Sequence, residues 1–106
     1  MTEFDPEKFE DKYVHYFPQL QQAYKSAFNR MNDEYDSQLI HAIDQQVLNE
    51  SEPFYEGDGE FRIELPENPH ERVTAVIVED EKLDAVLSTY LDCINEELKA
   101  VFDLRE

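Results

Sequence analysis

The sequence predicts an α+β fold: two N-terminal helices, the second long, a small antiparallel sheet of about three strands, and a C-terminal helix packed on it. Three observations predict it. Apolar residues recur at helical spacing from Phe9 to Leu48, and again from Leu83 to Phe102. Between these stretches, Phe61, Ile63 and Leu65 alternate with Glu60, Arg62 and Glu64, the period of a half-buried strand. Helices that flank a run of strands, instead of alternating with them, give an α+β arrangement. The 106 residues are expected to form a single domain with one core.

The first helix has a well-specified start. Asp5 suits the N-cap, and Pro6 suits the first helical position, where its missing N–H costs nothing. Phe4 and Phe9 occupy the two positions of a hydrophobic staple. Phe9, Tyr13, Tyr16 and Phe17 then fall on one helical face. Pro18 ends or kinks that helix at Phe17.

Pro18 also opens the second helix, whose apolar stripe stays in phase to about Asn49. A break is expected near Asn32-Asp33. Both glycines of the chain sit in Glu56-Gly57-Asp58-Gly59-Glu60, which predicts a tight turn. Pro53 to Glu56 is read as the short partner of the strand Phe61 to Leu65. Val73-Thr74-Ala75-Val76-Ile77-Val78 is read as a further strand, β-branched and apolar on both faces. Asp80 is placed as the N-cap of a last helix reaching about Phe102, with Leu83, Val86, Leu87, Tyr90, Leu91, Ile94 and Leu98 in its stripe.

Charge speaks about solvent more than about fold. Asp and Glu number 26 against 9 Lys and Arg, a net charge of −17. Such a charge opposes compaction in dilute buffer, but at about 1 M salt the screening length falls to about 3 Å. The chain therefore reads as a soluble protein of a salt-filled cytoplasm. No apolar run is long enough to span a bilayer, the first residues lack the pattern of a signal peptide, and the single Cys93 has no partner for an internal disulfide. The negative charge argues against binding a phosphate backbone. Neither nucleic acid nor membrane is expected as a partner.

Candidate chemistry is sparse. Glu56, Asp58 and Glu60 in the turn present three carboxylates to a hard cation, although a full calcium loop needs more oxygen ligands. Glu7, Asp11 and His15 share one face of the first helix at i, i+4, i+8, a set suited to a transition metal. Neither trio completes a recognised motif, so no cofactor and no catalytic residue is assigned. Ser37 and His41 are four residues apart on the long helix, without an orienting third group. Cys93 reads as a small buried hydrophobe, with no basic group nearby in sequence to favour its thiolate.

The segments Phe4-Asp5-Pro6-Glu7-Lys8-Phe9, Tyr13-Val14-His15-Tyr16-Phe17-Pro18 and Glu52-Pro53-Phe54-Tyr55-Glu56-Gly57-Asp58-Gly59 resemble a small family of uncharacterised acidic proteins from halophilic archaea. The resemblance covers essentially the whole chain. It implies salt adaptation and a cytoplasmic place, and it implies no activity, ligand or functional residue.

The reading that follows is a non-enzymatic, salt-adapted interaction domain. Its expected partners are a second copy of itself, forming a homodimer, and an unidentified protein. One alternative is a small-ligand or metal-binding enzyme that uses the aromatic face and the acids around it. Another is an acidic mimic of nucleic acid.

Overall fold

The structure, a computed structural model, describes residues 4–104. Its elements run α1 Pro6–Phe9, α2 Lys12–His15, α3 Phe17–Glu34, α4 Ser37–Gln46, a 3-10 turn Leu48–Glu50, β1 Glu52–Gly57, β2 Glu60–Glu64, α5 Pro69–Arg72 and α6 Asp80–Val101. The α+β class holds. The long helical stretch, the hairpin and the terminal helix lie where periodicity puts them.

The N-terminal start is built as its residues dictate. Asp5 accepts a hydrogen bond from the Glu7 N–H at 2.9 Å, and Pro6 opens α1. The Phe4 and Phe9 rings lie 5.6 Å apart, which forms the staple. Phe4 also meets Tyr16, Tyr55, Phe61 and Phe102 at 4.8–5.8 Å between ring centres. The Asp5 N–H donates to the Tyr16 hydroxyl at 3.0 Å, so one short segment ties α1, α2, the hairpin and the end of α6 together.

The single first helix is corrected to two short ones. The chain leaves helical geometry at Asp11, which has φ −111° and ψ 44°. That break rotates the following turn. Phe9 and Tyr16 are buried, but Tyr13 and Phe17 are exposed, and Lys12 turns inward instead. Pro18 sits in the first turn of α3, where a missing N–H leaves no intrahelical bond unmade.

The long helix is also divided, at Tyr35-Asp36 instead of near Asn32-Asp33. Tyr35 is extended, and the Asp36 carboxylate caps α4 by accepting from the Gln38 N–H at 2.9 Å. Asp36 is thus a better helix start than the polar run before it.

The sheet has two strands among the described residues, not three. β1 and β2 pair antiparallel with Pro53 opposite Ile63, Phe54 opposite Arg62 and Tyr55 opposite Phe61, with a bulge between Tyr55 and Gly57. Gly57, Asp58 and Gly59 all have positive φ, which suits glycine and is tolerated by Asp. The Gly59 N–H donates to the Tyr55 hydroxyl at 2.9 Å, closing the turn.

Val73 to Val78 forms no strand. The physical reason is the lack of a partner backbone. The N–H groups of Thr74 and Ala75 go to the Gln46 side chain at 2.8 and 3.2 Å, not to a ladder. β-branched composition favours a strand only where something pairs with it. A sheet apolar on both sides is therefore not how these residues are used.

Asp80 begins α6 instead of capping it; Glu79 holds the cap position. The stripe Leu83, Val86, Leu87, Tyr90, Ile94 and Leu98 is buried, joined by Cys93. It packs along α3, where Ala23 and Ala27 are fully buried and let the two helices approach closely. Arg30 of α3 bridges to Glu96 and Glu97 of α6. The hairpin docks on α6 through Asn95, which accepts from the Phe61 N–H at 3.0 Å and donates to Glu60 at 2.9 Å. That bond covers part of the outer edge of β2.

Candidate functional site

Two features stand out from the packed core. One is the wall formed by α2, α3 and β1. Lys12 is the buried charged residue among the described residues, at 3% exposure. Its Nζ lies 2.7 Å from Glu52 Oε2 and 4.8–5.4 Å from the ring centres of Phe9, Tyr13 and Phe54. An ammonium ringed by aromatic faces and one carboxylate is a stabilised buried cation. Phe54 carries the Arg62 guanidinium near its ring as well, at 4.7 Å.

Beside this cage, a cavity of about 200 Å³ opens between α3 and the start of β1. Tyr13, Leu20, Tyr24 and Pro53 form its apolar surface, and Gln21, Asn49 and Ser51 bring polar groups. Ser51 Oγ donates to the Leu48 carbonyl at 2.7 Å and lies 3.1 Å from the Tyr24 hydroxyl. Burial, countered in part by the Ser51 hydrogen bond, pushes the Tyr24 hydroxyl up to about 12. It stays protonated at neutral pH. Burial, and then the charge of Glu52, raises Tyr13 too.

The other feature is the segment from Val73 to Glu79. Both of its flanks are fastened. Arg72 pairs with Glu50, His70 meets Asp84 at 2.6 Å, and Gln46 Nε2 donates to Thr74 Oγ1 at 3.0 Å. Val76 and Val78 are half-buried against the core, while Ile77 is fully exposed between them. Among the described residues, the N–H groups of Val76, Ile77 and Val78 have no hydrogen-bond partner.

The carboxylate trios are not brought together. Among the described residues, no group of three or more His, Cys, Asp and Glu side chains is placed to hold a metal ion. Glu60 turns to Lys99 at 2.6 Å and to Asn95, and Glu56 turns to Arg62 at 3.3 Å, leaving Asp58 at the tip. The break at Glu10-Asp11 interrupts the helical face on which Glu7, Asp11 and His15 were expected, and all three are exposed. His41 Nδ1 lies 2.8 Å from the Ser37 carbonyl and 3.3 Å from Ser37 Oγ, and its ring packs edge-on to Phe28 at 4.9 Å. That is a helix-surface contact with no nucleophile geometry. Cys93 is buried with Sγ 3.8 Å from Met31 Sδ, and burial pushes its thiol up, away from reactivity.

A family model matches residues 1–105. The chain belongs to DUF5783, a family of unknown function. No curated protein and no solved structure gives a significant match. Among the described residues of this DUF5783 chain, no helix is long and apolar enough to cross a membrane.

Sequence reasoning missed the Lys12 cage and the cavity beside it. Lys12 follows an acid in a polar stretch, and only the break at Asp11 turns it inward. The cavity joins Tyr24 to Ser51 across 27 positions, a proximity that no local spacing signals.

Proposed function

We propose that this DUF5783 protein is a non-enzymatic, salt-adapted interaction module of a salt-filled cytoplasm, and that it acts as a homodimer joined through Val76-Ile77-Val78. The observation that carries this reading is Ile77. It is fully exposed on a segment whose two flanks are fastened and whose backbone donors are free among the described residues.

A second copy is the occupant that fits. Antiparallel self-pairing about Ile77 sets Ile77 against its copy, Val76 against Val78, and Ala75 against Glu79. No acid then faces an acid, which matters because like charges directly opposite destabilise a pair. Because hydrogen-bonded and non-bonded positions alternate along an antiparallel ladder, the pairing supplies acceptors either to the Ile77 N–H or to those of Val76 and Val78. Two chains of net charge −17 repel each other in dilute buffer, and concentrated salt both screens that repulsion and strengthens apolar burial.

Sedimentation equilibrium at about 2 M KCl, well inside the screened regime, tests the reading. The expected mass is twice the 12.6 kDa of one chain, and Ile77→Asp is expected to return it to one. A wild-type monomer throughout the micromolar range overturns the homodimer.

A further inference from the structure

We propose that the cavity between α3 and the start of β1 binds a small organic cation, an alkylammonium group whose stem packs on Tyr13, Leu20 and Pro53 and whose N–H groups reach the Tyr24 hydroxyl. Four observations carry this.

The first is size. At about 200 Å³ the cavity is smaller than the ~300–1,000 Å³ that takes a drug-sized molecule, so its occupant is about the size of one side chain.

The second is the direction of the hydrogen bonds. Ser51 spends its proton on the Leu48 carbonyl, so the Tyr24 hydroxyl is the donor in the Tyr24–Ser51 bond. Both protons are then committed. What the two oxygens have left for a ligand is acceptor capacity alone. An ammonium group has three donors and no acceptor, and it matches that surface. A carboxylate, which only accepts, finds no donor at these two oxygens and is left with the Gln21 and Asn49 amides.

The third is charge. None of the lining residues is ionised, so an anion finds no counter-charge there, and a cation is held by the Tyr24 oxygen and the Tyr13 ring alone. Lys12, beside the Tyr13 ring, is already paired with Glu52. In dilute buffer a chain of net charge −17 also attracts cations and repels anions, a bias that concentrated salt screens.

The fourth is that the same wall already holds an ammonium. The Tyr13 ring that lines the cavity also lies 5.3 Å from Lys12 Nζ. Tyr13 is more than half exposed and stands at the mouth, where an aromatic face attracts a cation.

The shared chemistry has two sources, a free amine or the lysine side chain of a protein. Neither depends on the dimer reading, because none of residues 73–79 lines this cavity. The test is NMR titration of the full chain with n-butylammonium, 1-butanol and butyrate at about 2 M KCl, where non-specific attraction is screened. We expect saturable shifts at the Gln21 and Asn49 side-chain amides with n-butylammonium, and binding roughly tenfold weaker for the neutral and anionic analogues. Tyr24→Phe removes the acceptor and Tyr13→Leu removes the ring, and each is expected to weaken n-butylammonium by several-fold. Tyr13→Leu changes an exposed residue, so it remains informative if Tyr24→Phe lowers stability. A short peptide with one lysine, compared with its acetylated form, then separates the sources: preference for the free lysine assigns a protein ligand, and binding of n-butylammonium alone assigns a free amine. Absence of saturable shifts, equal binding of all three probes, or binding indifferent to both substitutions overturns the proposal.

Discussion

Lys12 Nζ and Glu52 Oε2 lie 2.7 Å apart, and this pair joins α2 to the first residue of β1 across 40 positions of sequence. Lys12 is buried and Glu52 is half-exposed, so the two partners are not equivalent. Loss of Glu52 leaves an ammonium buried with aromatic rings alone. Loss of Lys12 leaves a carboxylate that turns to water.

Glu52→Gln is therefore expected to destabilise the fold by roughly 2 kcal/mol, below the range for a fully buried pair because Glu52 reaches solvent. Lys12→Met keeps the apolar stem and is expected to stay within about 1 kcal/mol of the wild type. Urea unfolding of both variants checks the asymmetry. Equal losses would mean that the attraction itself, and not the stranded charge, sets the cost.

The N-terminal staple offers a second comparison. Phe9 is buried within the ring cluster, and Phe9→Ala is expected to cost roughly 3 kcal/mol or more. Asp5→Ala removes one cap hydrogen bond and is expected to cost about 1 kcal/mol. Thermal unfolding at fixed salt measures both. If the two substitutions are neutral, residues 4–17 are not docked on the core.

Tyr90 tests hydrogen-bond satisfaction. Its hydroxyl is buried without a partner among the described residues, and burial is the main cause that raises its pKa. A buried polar group with nothing to bond is a cost to the fold. Tyr90→Phe keeps the ring and is expected to raise stability by about 1 kcal/mol. A loss of stability would reveal a bond that the hydroxyl makes.

Acid titration separates two carboxylates. The hydrogen bond from Lys99, then that from Asn95, holds Glu60 below the usual carboxylate range. Its folded pKa is lower than its unfolded one. Its stabilising effect is thus present above the unfolded value and lost as pH falls through the folded value. Asp44 runs the other way, because burial raises it. Its ionisation opposes folding in full above the folded pKa, and the opposition is gone below the unfolded one. Glu60→Gln is expected to flatten the acid limb of the stability curve, and Asp44→Asn to raise stability at neutral pH. Urea midpoints measured from acid to neutral pH show whether the two changes have these opposite signs.

What the sequence reveals and what it hides divide by range. The Asp5-Pro6 start with its Phe4–Phe9 staple is written within six residues, and it is found as written. The Gly57-Asp58-Gly59 turn is equally local. The division at Asp36 is hidden because the apolar stripe stays in phase across it, although Asp36-Ser37 is a legible cap. Val73 to Val78 shows the limit of propensity: its residues favour a strand, but the Gln46 side chain, not a neighbouring strand, bonds the backbone of Thr74 and Ala75. The Lys12–Glu52 pair and the Tyr24–Ser51 contact depend on the folded chain bringing distant segments together, and no periodicity encodes them.

The most direct test of the homodimer is the register it requires. Self-pairing about Ile77 brings two copies of that position within about 4.5–5.5 Å between Cα atoms, inside the range that a disulfide spans. In a Cys93→Ala background, which removes the buried thiol, Ile77→Cys is expected to cross-link two chains rapidly on mild oxidation at about 2 M KCl, a salt level at which repulsion is screened. Thr74→Cys, whose copy lies far along the opposite strand in this register, is expected to stay uncross-linked. Cross-linking that is no faster at Ile77 than at Thr74, or none at either, contradicts the paired segment and with it the homodimer.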